Sequence, residues 1–155
     1  MATFAEQVMR IVRTYRETGG SWPASSMEIA EWAVTHDLYQ LTRGMAVCQC
    51  AEAVSRAMRE EYITDKKGRR VRRYHAARMR RDGRQMSLWA DIETAVRSHM
   101  ETAFAQRRLQ IVGDCRQLKT DVDSFNDSHS SEHPIQVVFD FTTDLEELEQ
   151  LDDVA

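Results

Sequence analysis

Apolar residues recur at Phe4, Val8, Ile11 and Tyr15, the i, i+4, i+7, i+11 spacing that lines one face of a helix. Gly19-Gly20 and Pro23 end that helix and force a turn. Ser25-Ser26-Met27-Glu28 has the form of a capping box: the Ser25 hydroxyl accepts from the Glu28 amide, and the Glu28 carboxylate reaches back to the Ser25 amide. A second helix follows with Ile29, Ala30, Trp32 and Ala33 as its apolar positions and His36-Asp37 near its end. After a connection over residues 38–44, Val47, Ala51, Val54 and Met58 repeat the helical stripe. Burying that stripe turns Gln49, Glu52, Ala53 and Arg56 toward solvent.

The period then drops to two. Tyr62-Ile63-Thr64 is aromatic and β-branched, Asp65-Lys66-Lys67-Gly68 is a turn in which Gly68 supplies a positive φ, and residues 69–74 read as extended. From Met86 the pattern returns to helical, with Trp89, Ile92, Val96, Met100 and Phe104 in one stripe and Ile111, Cys115, Leu118, Val122 and Phe125 in another. A straight helix over residues 86–125 would be about 60 Å long. Gly113 offers a bend, so a long helix and a helical hairpin both fit. Residues 126–133 read as a polar loop, and Ile135, Val137, Phe139 and Phe141 alternate as in a strand. Thr143-Asp144-Leu145-Glu146 resembles a further capping box, opening an amphipathic helix with Leu145, Leu148, Leu151 and Val154 opposite Glu146, Glu147 and Glu149.

Charge sharpens this outline. The 155 residues carry a formal net charge of only −4. Residues 66–84 hold ten Lys or Arg and one acid, whereas residues 121–155 hold eleven acids and no Lys or Arg. Near-neutrality therefore conceals a cationic segment and an anionic tail, a distribution that points to a polyanion at one end and an interaction or regulatory role at the other. The 42% hydrophobic content argues against disorder, and no apolar run approaches the roughly 18 residues of a membrane span. With no leader pattern and three Cys, too few for a disulfide framework, a cytoplasmic location is the expectation.

Three helices followed by a basic hairpin resemble the winged helix-turn-helix family over residues 4–79. The resemblance is carried by Ser25 to Ala30 opening helix two, Ala51-Glu52-Ala53-Val54-Ser55-Arg56-Ala57-Met58 in helix three, and the hairpin at residues 62–71. The seven-residue connection over 38–44 is longer than the family's tight turn. The resemblance implies that helix three enters the major groove, with Gln49 and Arg56 facing base edges. The wing residues Lys66, Lys67, Arg69 and Arg70 would meet phosphates, with Arg72 and Arg73 extending that surface.

Catalytic and metal signatures are weak. Cys48-x-Cys50 lacks the spacing and second ligand pair of a zinc finger, His129 and His133 sit in a Ser-rich loop beside Pro134, and no nucleophile elbow, phosphate-cradling Gly-rich loop or H-E-x-x-H is present. Cys48, Cys50 and Cys115 read as small core residues, and neither a metal, a cofactor nor enzymatic activity is expected.

The expected fold is mainly α with a small β component: a winged helix, then a long helix or helical hairpin, one late strand and an acidic C-terminal helix. The expected domains are a winged helix over 1–84, a helical dimerisation or assembly region over 85–126, and a loop, strand and acidic tail over 127–155. The stripe of Trp89, Ile92, Val96, Met100, Ile111, Leu118, Val122 and Phe125 is the expected interface of a homodimer. The functional expectation is a transcriptional regulator binding duplex DNA, with RNA left open as the ligand. Its acidic tail would modulate binding or recruit a protein partner through residues 134–155. The alternative is a protein-interaction or assembly module that uses the winged helix as scaffold.

Overall fold

A computed structural model describes residues 3–154. They form α1 (Phe4–Glu17), α2 (Ser26–Thr35), α3 (Arg43–Glu60), β1 (Tyr62–Thr64), β2 (Arg70–Arg72), β3 (Tyr74–Arg81), β4 (Arg84–Asp91), α4 (Arg97–Ser128) and α5 (Thr142–Val154). The protein is mainly helical, with two separate two-stranded antiparallel sheets, β1–β2 and β3–β4. It divides into two compact units after Ala57, within α3.

In the first unit, capping boxes open both leading helices. Thr3 and Glu6 form one at α1, and the anticipated Ser25–Glu28 box forms at α2. Ser25 N donates to Glu28 Oε2 at 2.6 Å, and Glu28 N donates to Ser25 Oγ at 3.2 Å. The helices meet where Tyr15 and Trp32 pack edge to face with ring centroids 5.5 Å apart. Tyr15 and Ala33 are the buried apolar residues there. On α3 the expected buried stripe is not buried: Val47 and Val54 are exposed, and no residue of the helix is fully covered. Cys48 and Cys50 are exposed rather than core residues, while Cys115 is half-buried; all three are free thiols.

The second unit is built on two hairpins joined through Arg73. Its amide donates to Glu61 O at 2.9 Å, extending the β1–β2 pair, and its carbonyl accepts from Ile92 N at 2.8 Å, closing the open end of β3–β4. The β1–β2 turn is where residues 65–68 were expected to place it, with Gly68 at φ 78°. The β3–β4 hairpin replaces the helix expected from Met86. Residues 84–91 pair along their whole length with residues 74–81, through a two-residue turn with Asp82 at φ 52° and Gly83 at φ 74°. Asp-Gly with both central residues at positive φ matches the twist of adjoining strands, which a helical reading of Trp89, Ile92 and Val96 overlooks. Trp89 lies in β4, Ile92 follows it, and Val96 is the N-cap of α4, so none of the three belongs to a helical stripe.

The helix α4 crosses β3. His99 Nε2 donates to the His75 carbonyl at 2.9 Å, and the side chain of Gln106 grips Arg78 at both ends of its backbone. Arg78 N donates to Gln106 Oε1 at 2.7 Å, and Gln106 Nε2 donates to Arg78 O at 3.1 Å. Ala77 of β3 and Ala103 of α4 are both buried. Gly113 does not bend the helix. Its 32 residues run continuously for about 48 Å, which removes the helical hairpin.

Beyond α4, Asn126 holds the returning chain: its Nδ2 donates to Ile135 O and its Oδ1 accepts from Ile135 N, both at 2.9 Å. Residues 135–141 are not a strand. The alternation is present, but no strand lies beside it among the described residues, and a strand is defined by its ladder partner. The last helix starts at Thr142, one residue before the expected box, with Asp140 Oδ1 accepting from Thr142 N and Oγ1.

Candidate nucleic-acid interface

Register decides how the basic residues are presented. In β1–β2, Tyr62 faces Arg72 and Thr64 faces Arg70, while Ile63 faces Val71. Because side chains alternate along a strand, Tyr62, Thr64, Arg70 and Arg72 share one face and the apolar Ile63 and Val71 share the other. Arg70 lies over the Tyr62 ring, its guanidinium carbon 4.1 Å from the centroid, a cation–π contact that orders the side chain.

Asp65 organises the turn. Its Oδ1 accepts from the amides of Lys67 and Arg69, each at 2.9 Å, and its Oδ2 accepts from Arg69 Nε at 2.7 Å. These bonds, led by the Arg69 amide, hold the Asp65 carboxyl below its ordinary range. Arg69 is thereby committed to an ion pair, whereas Lys66 and Lys67 are exposed at the tip.

The β3–β4 hairpin adds a second basic surface. Arg78 and Arg80 share a face with Gln85, Ser87 and Trp89, opposite the face that packs on α4. All of these except Trp89 are exposed, and Arg59 lies over the Trp89 ring at 5.9 Å. Arg73 serves differently from the wing role the resemblance implied. Its Nε donates to Asp91 Oδ2 at 2.8 Å, and that bond raises the Arg73 pKa.

In the first unit, Gln49 and Arg56 are both exposed on α3, and Gln49 Nε2 donates to the Tyr39 hydroxyl at 3.3 Å. Arg107 carried no sequence-based expectation. On α4 it follows Gln106, which is fixed to β3, and lies within electrostatic reach of Arg72 and Tyr62. Burial first, and the Arg72 charge second, lower its pKa. The only sequence signal was the pair Arg107-Arg108 inside a segment of balanced charge.

The expected interface residues on α4 divide by exposure. Met100 and Val122 are half-buried, whereas Ile111, Leu118 and Phe125 are 52%, 47% and 46% exposed. Among the described residues no helix is long and apolar enough to cross a membrane. Compared with family models, curated proteins and solved structures, the chain matches none.

Proposed function

We propose that this protein binds nucleic acid, duplex DNA in the first instance, and does so as a homodimer acting in transcriptional regulation. The observation that carries the reading is the β1–β2 hairpin, which puts Tyr62, Arg70 and Arg72 on one face and leaves Lys66 and Lys67 exposed at its tip. Cations on a projecting hairpin meet phosphates, fixing position without reading sequence. The order of three helices and then a basic hairpin supports the likeness to winged helices. In that likeness Gln49 and Arg56 on α3 supply base contacts. The acidic α5 competes for the basic surface or recruits a protein partner.

The exposed apolar residues of α4 and α5 favour a second reading, an assembly module whose hairpins are scaffold. Titration of duplex DNA over a salt series separates the two. Removing one phosphate-bound cation reduces the slope of log K against log salt by about 0.9, so Lys66→Ala with Lys67→Ala reduces it by about 1.8. A slope and affinity equal to those of the unsubstituted protein, or no duplex affinity at low salt, would remove the nucleic-acid reading.

A further inference from the structure

The geometry points to a binding surface for single-stranded nucleic acid on the outer face of the β3–β4 hairpin, the face turned away from α4. It goes beyond the duplex reading, because it uses other residues than the β1–β2 tip and takes strands whose bases are unpaired.

Register and burial settle which side chains make this face. His75 and Ala77 are buried, and the His75 ring meets Phe104 of α4 edge to face with centroids 5.3 Å apart, so this side of β3 turns toward the helix. Tyr74, Ala76, Arg78 and Arg80 therefore point the other way, and their partners across the ladder are Asp91, Trp89, Ser87 and Gln85. Near the open end of the hairpin, Trp89 and Tyr74 are half-buried rings on adjacent strands, and Ala76, directly opposite Trp89, adds only a methyl beside it. Arg59 lies over the Trp89 ring at 5.9 Å, and Arg73 over the Tyr74 ring at 5.7 Å. Toward the turn, Arg78, Arg80, Gln85 and Ser87 are all exposed.

Charge decides what such a face accepts. Along both strands it carries one acid, Asp91, which is already paired with Arg73. The ion pairs among the described residues engage Arg69, Arg73, Arg97 and Lys119, and none of Arg59, Arg78 and Arg80. Gln106 bonds both the N and the O of Arg78, so the strand that presents these cations is held to α4 while their side chains stay exposed. Unneutralised cations in a row attract a polyanion. Aromatic rings beside them add a demand for bases with open faces. A duplex keeps its base faces stacked inside, whereas a single strand satisfies both demands at once: its backbone follows the cations while its bases stack on the rings.

The test uses the full chain with oligothymidylate and oligouridylate of about 12 residues, set against a duplex of the same length. The indole N–H signals of the three tryptophans are read by NMR, and affinity is measured over a salt series. The expected result is a saturable shift of Trp89 on either oligonucleotide, with Trp22 and Trp32 unmoved; the tighter of the two names the preferred sugar. Arg78→Gln/Arg80→Gln reduces the salt slope by about 1.4, at about 0.7 per phosphate contact on a single strand. Trp89→Leu weakens binding about tenfold and leaves the slope unchanged, because stacking releases no counterions. Arg78 and Arg80 are exposed, so their replacement tests the face even where Trp89→Leu fails to fold. No Trp89 shift, an equal shift with the duplex, or an unaltered slope in Arg78→Gln/Arg80→Gln overturns the proposal. So does a Trp89 shift with a peptide of residues 142–154 and none with either oligonucleotide, which would make the acidic α5 the occupant of the face. Single-strand binding without duplex affinity would leave this face standing and remove the duplex reading. Duplex binding that is lost in Lys66→Ala/Lys67→Ala, with no Trp89 shift on the oligonucleotides, would do the reverse.

Discussion

Arg73 and Asp91 clasp the open end of the β3–β4 hairpin: the Arg73 Nε donates to Asp91 Oδ2 at 2.8 Å, beside the Arg73 carbonyl that accepts from Ile92 N. Asp91 Oδ1 also accepts from Glu93 N at 2.9 Å, starting the turn toward α4. One carboxylate thus orients both the junction of the hairpins and the exit to the helix. Asp91→Asn is expected to lower Tm more than Asp123→Asn, whose partner Lys119 lies one turn away on the same exposed helix surface. Thermal melts of the two variants at neutral pH check the ranking. The bond from Glu93, and then Arg73, hold the Asp91 carboxyl below its ordinary value of 3.8. That contribution is present above this value and is lost as pH falls through the lower, folded one.

Gly20 is set by close approach. A Cβ there would come within 2.6 Å of the Tyr15 ring, and that ring is buried against Trp32 with its hydroxyl donating to Ser21 O. Gly20→Ala must displace the aromatic pair and is expected to cost about 1–3 kcal/mol, read by denaturant unfolding. Gly113→Ala has open space around the new methyl and sits inside a helix, so it is expected to stabilise by up to about 1 kcal/mol.

Burial lowers the pKa of His75, and the Arg107, Arg72 and His99 charges lower it further, against the opposing hydrogen bond to Arg72 O. The unfolded chain therefore binds the proton more readily than the folded one. Stability is expected to rise as pH increases from the folded pKa to the ordinary value of 6.5 and to level off above it. Unfolding free energies between about pH 5 and 8 should show this slope, and His75→Gln should flatten it.

The exposed apolar face of α4 predicts self-association. Leu118→Asp places a charge among Ile111, Cys115, Val122 and Phe125 and is expected to convert a dimer to a monomer without reducing helix content. Light scattering after size exclusion measures the mass, and circular dichroism the helicity. A protein that is monomeric before substitution excludes the homodimer.

What the sequence by itself determined was local. The Ser25–Glu28 capping box and the Asp65 turn are written in consecutive side chains that bond their own backbone, and both form as read. The basic strip and acidic tail are likewise properties of composition. Period alone misassigned residues 86–91, because apolar residues at Trp89, Ile92 and Val96 fit a helix as readily as a strand leading into a turn. The Asp82-Gly83 signal and pairing with β3 decided the matter. The same dependence on a partner left residues 135–141 without a ladder. The cations are divided by task at two levels. Asp65 takes Arg69 within its own turn, four residues away, whereas only the fold brings Asp91 to Arg73 and Gln106 of α4 to the backbone of Arg78. Charge can be counted along a chain, but its use depends on which side chains the fold has already paired.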